Sequence, residues 1–201
     1  MATKQNSPFG GYTWFAPPTT EFALLNVTEC KRPHDWHTFR ISNPDWVLNV
    51  FHNGGALVRM NSERNDWVRR EAFVAHLYPP GFTYWEDIRP LNEPLFSSWI
   101  NFRVGPGLGL DRYVANAKGY AEFLDPEHKL KELLHQMHLT AISQGDDAYW
   151  ELMPSFFSAI ALLKRAVPIS PGSYRIIGDA AVHHSHPVVI EVQGFLRDHV
   201  S

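Results

Sequence analysis

From residue 22 to residue 104 the chain is cut at short intervals by turn-forming clusters. They are Asn43-Pro44-Asp45, Asn53-Gly54-Gly55, Asn61-Ser62-Glu63-Arg64-Asn65-Asp66, Pro79-Pro80-Gly81 and Arg89-Pro90-Leu91-Asn92. Glycine opens positive φ, and proline fixes φ and removes a donor, so no long helix fits between them. Short apolar runs broken roughly every 8–12 residues predict a β-sandwich or barrel. Residues 46–51 and 56–60, on either side of Asn53-Gly54-Gly55, are expected to form a hairpin. Residues 95–102 are the most informative strand. Period two puts Phe96, Ser98, Ile100 and Phe102 on one face and Leu95, Ser97, Trp99 and Asn101 on the other. The first face reads as core. The second mixes an aromatic ring with polar groups, as the wall of a ligand cavity does.

Residues 125–165 change to helical spacing. Asp125-Pro126-Glu127 is a start signal, with a capping acid and proline at the first helical position. Leu130, Leu134, Met137 and Ala141 follow as one stripe, and Gly145 is a stop. A second helix begins near Asp147 and is expected to hold Pro154 in its first turn. Its apolar positions Leu152, Phe156, Phe157, Ile160 and Leu163 cover more than one face, so one face is expected on the β domain and another on a partner chain.

Outside this region, residues 1–20 combine Gly, Pro and Thr with Phe9, Tyr12, Trp14 and Phe15, which suggests an arm that docks. Residues 167–186 read as a linker. Pro187 opens another amphipathic segment through Val189, Val192 and Leu196, expected to begin a further domain. A net charge of −3 argues against DNA binding by this segment itself, because phosphate neutralisation needs basic surface. The single cysteine, Cys30, fits a reducing cytoplasm, and neither a signal peptide nor a membrane span is evident. The 201 residues, 44% of them hydrophobic, are enough to build a core.

Catalytic and metal motifs are sparse. His52 and His76 lie too far apart for a metal-binding barrel pair, His184-x-His186 falls in the linker, and His135 with His138 lacks a third ligand. There is no Gly-x-Ser-x-Gly elbow. Gly105-Pro106-Gly107-Leu108-Gly109 lacks the strand–helix context of a phosphate loop. Glu86 and Asp87, adjacent on a strand, point apart. No catalytic residue, metal or cofactor is expected.

Several stretches together resemble the N-terminal half of AraC-family transcription regulators. Gln5-Asn6-Ser7-Pro8 and Gly11-Tyr12-Thr13-Trp14 resemble that family's sugar-gated arm. Val47-Leu48-Asn49-Val50 with Gly54 and Ala56 resembles its first barrel hairpin, Leu77-Tyr78-Pro79-Pro80-Gly81 its turn, and Ser98-Trp99-Ile100-Asn101-Phe102 its Trp-x-x-Phe strand. Tyr149-Trp150-Glu151-Leu152 through Leu162-Leu163-Lys164-Arg165 is similar to the dimerisation helix, and His186-Pro187 onward to the first helix of the DNA-binding domain. The chain departs from the pattern at Arg70-Glu71-Ala72 and at Thr83-Tyr84-Trp85-Glu86.

The resemblance implies an α+β fold, a cupin-like β-barrel (jelly roll) followed by a two-helix dimerisation hairpin. It divides the chain into an arm (1–20), a ligand-binding and dimerisation domain (21–166), a linker (167–186) and the start of a DNA-binding domain (187–201). It places ligand contacts at Pro8, Trp14, Asn26, Arg40, Tyr84, Glu86, Ser97 and Trp99. A buried Arg40 would need Glu86, water or ligand hydroxyls as partner. The implied effector is a sugar or a related polyol or acid. The implied assembly is a homodimer that touches DNA only through a C-terminal helix-turn-helix domain, and no membrane. The alternative is a cupin-type sugar isomerase using Glu86 as base.

Overall fold

The computed structural model describes residues 11–13, 22–33 and 39–177. They form an α+β structure that is mostly sheet. The strands are β1 (Gly11–Thr13), β2 (Phe22–Arg32), β3 (Phe39–Ser42), β4 (Trp46–Phe51), β5 (Leu57–Met60), β6 (Val68–Arg69), β7 (Val74–Tyr78), β8 (Thr83–Asp87), β9 (Leu95–Val104), β10 (Ala121–Leu124), β11 (Val167–Ser170) and β12 (Ser173–Arg175). The helices are α1 (Asp111–Val114), α2 (Lys129–Gln144) and α3 (Ala148–Arg165). Each expected turn cluster falls between two strands.

The larger sheet has the order β1-β2-β9-β4-β7-β10-β12-β11 and the smaller the order β3-β8-β5-β6. Among the described residues no ladder joins edge to edge, so the expected closed barrel is corrected to two open sheets. Side chains join them instead. Val47 and Tyr78 of the larger sheet share one apolar cluster with Val58, Met60 and Tyr84 of the smaller.

The expected hairpin between β4 and β5 is also corrected. β4 lies between β9 and β7, whereas β5 pairs with β8 and β6. Residues 52–56 therefore carry the chain from one sheet to the other. Asn53 pins this crossing. Its Oδ1 accepts the Phe96 N–H at 2.8 Å and its Nδ2 donates to the Pro94 carbonyl at 3.0 Å. A Cβ on Gly54 would stand 2.9 Å from the Ala72 nitrogen. The glycine thus serves close backbone approach, a use that looks identical in sequence to a tight turn.

Both expected helices form. Asp125 does cap α2, but from further upstream than the sequence suggests, and Pro126, expected at the first helical position, lies in the turn before the helix. Its carboxylate accepts the N–H groups of Lys129 (2.9 Å) and Leu130 (2.8 Å), while His128 turns the chain at φ 57°. Pro154 lies inside α3, well past its first turn. Its neighbour Trp150, whose carbonyl loses the usual N–H, is exposed, so water can take that bond. Leu130, Leu134, Met137 and Ala141 are all buried, as their spacing predicts. Leu152, Phe156, Ile160 and Leu163 join them in one core with Leu24, Leu48, Ile100 and Phe102 of the larger sheet. Phe156 lies 5.2 Å from Phe102 and Phe157 lies 5.8 Å from Phe22 between ring centroids. The five positions expected to face a partner thus pack within this chain, each stabilising it by roughly 1.5–3 kcal/mol if fully buried. Residues 167–177, expected as linker, instead extend the larger sheet, with β11 turning into β12 at Pro171-Gly172 and β12 pairing parallel to β10.

A polar seam crosses the junction of α2 with the sheet. The Ser98 hydroxyl lies 2.7 Å from His52 Nε2 and 3.0 Å from Glu29, whose carboxylate meets His135 Nδ1 at 3.0 Å. Burial pulls the His52 pKa down from 6.5 to about 4. The unfolded chain therefore binds a proton at His52 across a pH range where the folded chain does not. The His52 contribution to stability is complete above about pH 6.5 and is lost as pH falls towards 4. The urea midpoint of wild type should fall across this range, and that of His52→Gln should fall less. An equal fall in both would exclude His52 as a source.

Candidate functional site

A cavity of about 630 Å³ lies between β1, β2, β9 and β4 on one side and β3 and β8 on the other. Strand alternation makes its larger wall. On β9, Trp99 and Asn101 line the cavity while Ile100 and Phe102 face the helices. On β4, Val47 and Asn49 line it while Leu48 and Val50 face the helices. On β2 the alternation breaks. The ladder to β9 shifts between Leu24 and Asn26, and both Leu25 and Asn26 line the cavity.

β1 completes this wall at the sheet edge. It pairs antiparallel with β2, Gly11 opposite Thr28 and Thr13 opposite Asn26. Asn26 Nδ2 donates to Thr13 Oγ1 at 3.0 Å, and Thr28 Oγ1 donates to Asn26 Oδ1 at 2.8 Å. A Cβ on Gly11 would fall 2.0 Å from the Thr28 hydroxyl, so only glycine lets β1 lie this close.

Of the expected ligand contacts, the structure gathers Asn26, Arg40, Tyr84 and Trp99 around this one cavity. Tyr84 is buried and stacks on Tyr78 at 4.7 Å, and desolvation pushes its hydroxyl pKa well up, so it stays neutral. Arg40 is exposed, with its guanidinium 5.9 Å from the Trp85 ring. Glu86 and Ser97 are fully buried but are not among the lining residues. Glu86 is held by Arg32 and Arg70, at 2.5 and 3.4 Å, rather than by Arg40. Pro8 and Trp14 lie outside the described residues.

Asn49 was not reached by sequence reasoning. It is only 5% exposed, lines the cavity, and its Oδ1 has no hydrogen-bond partner. An acceptor left unpaired in so dry a place is costly unless a ligand or water satisfies it. The signal was present: Asn49 is the one polar residue of Trp46–Phe51, all six of which are buried.

Chemically the lining is suited to holding a polar molecule. Thr13, Asn26, Thr28, Asn49 and Asn101 supply neutral donors and acceptors, Trp99 a flat apolar ring, and Arg32 and Arg40 cations. The described lining includes no histidine or cysteine, and its carboxylate, Asp45, pairs with Arg103 at 2.9 Å. No group of three or more His, Cys, Asp or Glu among the described residues could hold a metal ion. Nor is any described helix long and apolar enough to cross a membrane.

Fold and site together define a two-sheet domain with an internal polar cavity and a helical hairpin packed on its back. No protein-family model and no curated protein matches the chain. Among solved structures, fatty-acid-bound ToxT from Vibrio cholerae overlaps 92% of this chain and 66% of its own, at 12% identity and a TM-score of 0.42. YhaK from Escherichia coli overlaps 48% and 44% at 21% identity and 0.36. Streptomyces albus HEPD, with 2-hydroxyethylphosphonate and Fe(II) bound, overlaps 52% and 25% at 12% identity and 0.34. The chain thus spans less than half of YhaK and about two thirds of ToxT. At these scores the overlaps carry no argument about ligand, reaction or partner.

Removing Glu86 would strand two buried guanidiniums. Glu86→Ala should cost roughly 3–5 kcal/mol in urea unfolding, the usual penalty for breaking a buried pair from one side. Arg40→Ala, at an exposed position, should stay within about 0.5 kcal/mol of wild type. Similar losses in the two variants would show that Glu86 is not the buried anchor described.

Proposed function

We propose that this chain is the ligand-sensing and dimerising part of an AraC-type transcription regulator, and that its larger cavity takes a small uncharged polyol, a sugar. The observation that carries the ligand class is the unpaired Asn49 oxygen facing a wall of neutral hydroxyl and amide groups beside Trp99. A hydroxyl of the ligand gives Asn49 its missing donor. The indole offers an apolar face to the C–H side of a pyranose ring, and Arg40 closes the mouth with hydrogen bonds to adjacent hydroxyls. β1 lies over the ligand as part of the wall. DNA is contacted by a separate C-terminal helix-turn-helix domain, whose posture follows the occupancy of the cavity. The homodimer forms through the hairpin's outward apolar side chains Leu139, Ile142 and Trp150, since the positions named from sequence are occupied within the chain.

A thermal-shift screen of monosaccharides, polyols and small acids tests the ligand class, because a ligand bound only by the folded state raises its stability. Calorimetry with the best hit should show Asn49→Leu and Trp99→Ala each weakening binding about tenfold or more, as loss of a buried hydrogen bond or stacking face requires. Gly11→Val should weaken it too, by displacing β1. Wild-type affinity in both Asn49→Leu and Trp99→Ala would exclude this cavity as the sensing site. Light scattering should report a dimer that Ile142→Glu with Trp150→Ser converts to a folded monomer, and a wild-type monomer would remove the dimer from the proposal.

A further inference from the structure

A second cavity, of about 300 Å³, opens at the other end of the space between the sheets. Its walls come from β5 and β6 on one side and from β7 and β10 on the other, and Val58, Val68, Val74, Arg70, His76 and Tyr120 are among its lining residues. Nothing in the reading of the larger cavity uses it.

Its polar groups carry an unusual surplus of donors. Arg70 is almost fully buried, yet its Nε has no hydrogen-bond partner. Among the described residues Glu86 is the only carboxylate within ion-pair distance of Arg70, at 3.4 Å, and Glu86 also holds Arg32. Arg70 Nη2 donates to His76 Nδ1 at 2.8 Å and to the Tyr78 hydroxyl. An arginine can only donate, so His76 Nδ1 must accept, and the proton of the neutral ring sits on Nε2. Burial holds His76 well below its ordinary pKa, which keeps the ring neutral. No described residue accepts from that Nε2. Arg70, whose buried Nε has no acceptor, and His76, whose Nε2 has none among the described residues, therefore line the same cavity. The carboxylate on the opposite side, Glu122, is already engaged by Lys118, Tyr120 and Ser173.

We propose that this second cavity binds a small organic carboxylate, whose oxygens accept from Arg70 Nε and His76 Nε2 and whose carbon skeleton lies on Val58, Val68 and Val74. A guanidinium and a neutral imidazole N–H are a fitting donor pair for a carboxylate. The valine walls favour a ligand with carbon over inorganic phosphate.

Titration of the isotopically labelled full chain with succinate, followed by amide chemical shifts, tests this. Shifts should saturate at millimolar succinate and cluster on residues 74–76 and 120–122. Succinamide, the uncharged analogue, and inorganic phosphate should each bind at least about tenfold more weakly, the loss expected when a charge-assisted hydrogen bond goes. His76→Phe should weaken succinate by a similar factor. Val74→Phe, which keeps both donors and fills the space, should abolish saturation while preserving the amide spectrum elsewhere. Absence of saturation in wild type would overturn the proposal, as would equal binding of succinamide, tighter binding of phosphate, or full affinity in Val74→Phe. So would loss of succinate binding in Trp99→Ala with retention in Val74→Phe, which would put the carboxylate in the larger cavity.

Discussion

The Glu86 carboxylate, fully buried on β8 of the smaller sheet, is the group around which the space between the sheets is organised. A charge in so dry a place is tolerable only when paired and hydrogen-bonded. Its partners arrive from different parts of the fold. Arg32 ends β2 of the larger sheet, and Arg70 follows β6 of the smaller sheet and reaches across to His76 and Tyr78 on β7. Among the described residues the two sheets share no ladder, and this ionic set and the tyrosine cluster beside it join them. An all-aliphatic interface would collapse the gap to native packing density. Bulky charged and aromatic groups at its centre instead keep the sheets apart, with a cavity on each side.

Much of the local structure was legible in the sequence. Strand alternation along Leu95–Val104 told correctly that Ile100 and Phe102 face the helices and that Trp99 and Asn101 face the cavity, whereas Leu95 and Ser97, expected beside them, are buried away from it. The stripe Leu130, Leu134, Met137 and Ala141 marked the buried face of α2. What the sequence could not give was partner choice. Asn53-Gly54-Gly55 has the composition of a hairpin turn, yet the same residues suit a crossing where backbone meets backbone at Ala72. Only the long-range bonds of Asn53 to Pro94 and Phe96 distinguish the two.

The candidate site divides along the same line. Trp99 was visible because its strand reads as half-wet, whereas Asn49 hides in a strand that reads as wholly buried. Glu86 and Arg40 looked like cavity partners, and the fold gave Glu86 to Arg32 and Arg70, residues 54 and 16 positions away in the chain. α3 looked two-faced because it must satisfy both a sheet and a neighbouring helix within one chain. An apolar surplus on a helix measures how much it buries, and says nothing about whose atoms do the covering.

The edge position of β1 has a kinetic meaning. Three residues pair it to β2 at the sheet's margin, and its link to the cavity is the Thr13–Asn26 bond. A strand at the edge of a sheet, paired on one side only, opens at a smaller free energy than the strands at its centre. Parting the sheets, by contrast, means tearing Arg32 from a buried Glu86. The two openings therefore run on separate clocks. A guest in the cavity can come and go many times through the fraying margin during the lifetime of a single folded molecule, with amide exchange fast at residues 11–13 and slow along β4 and β9.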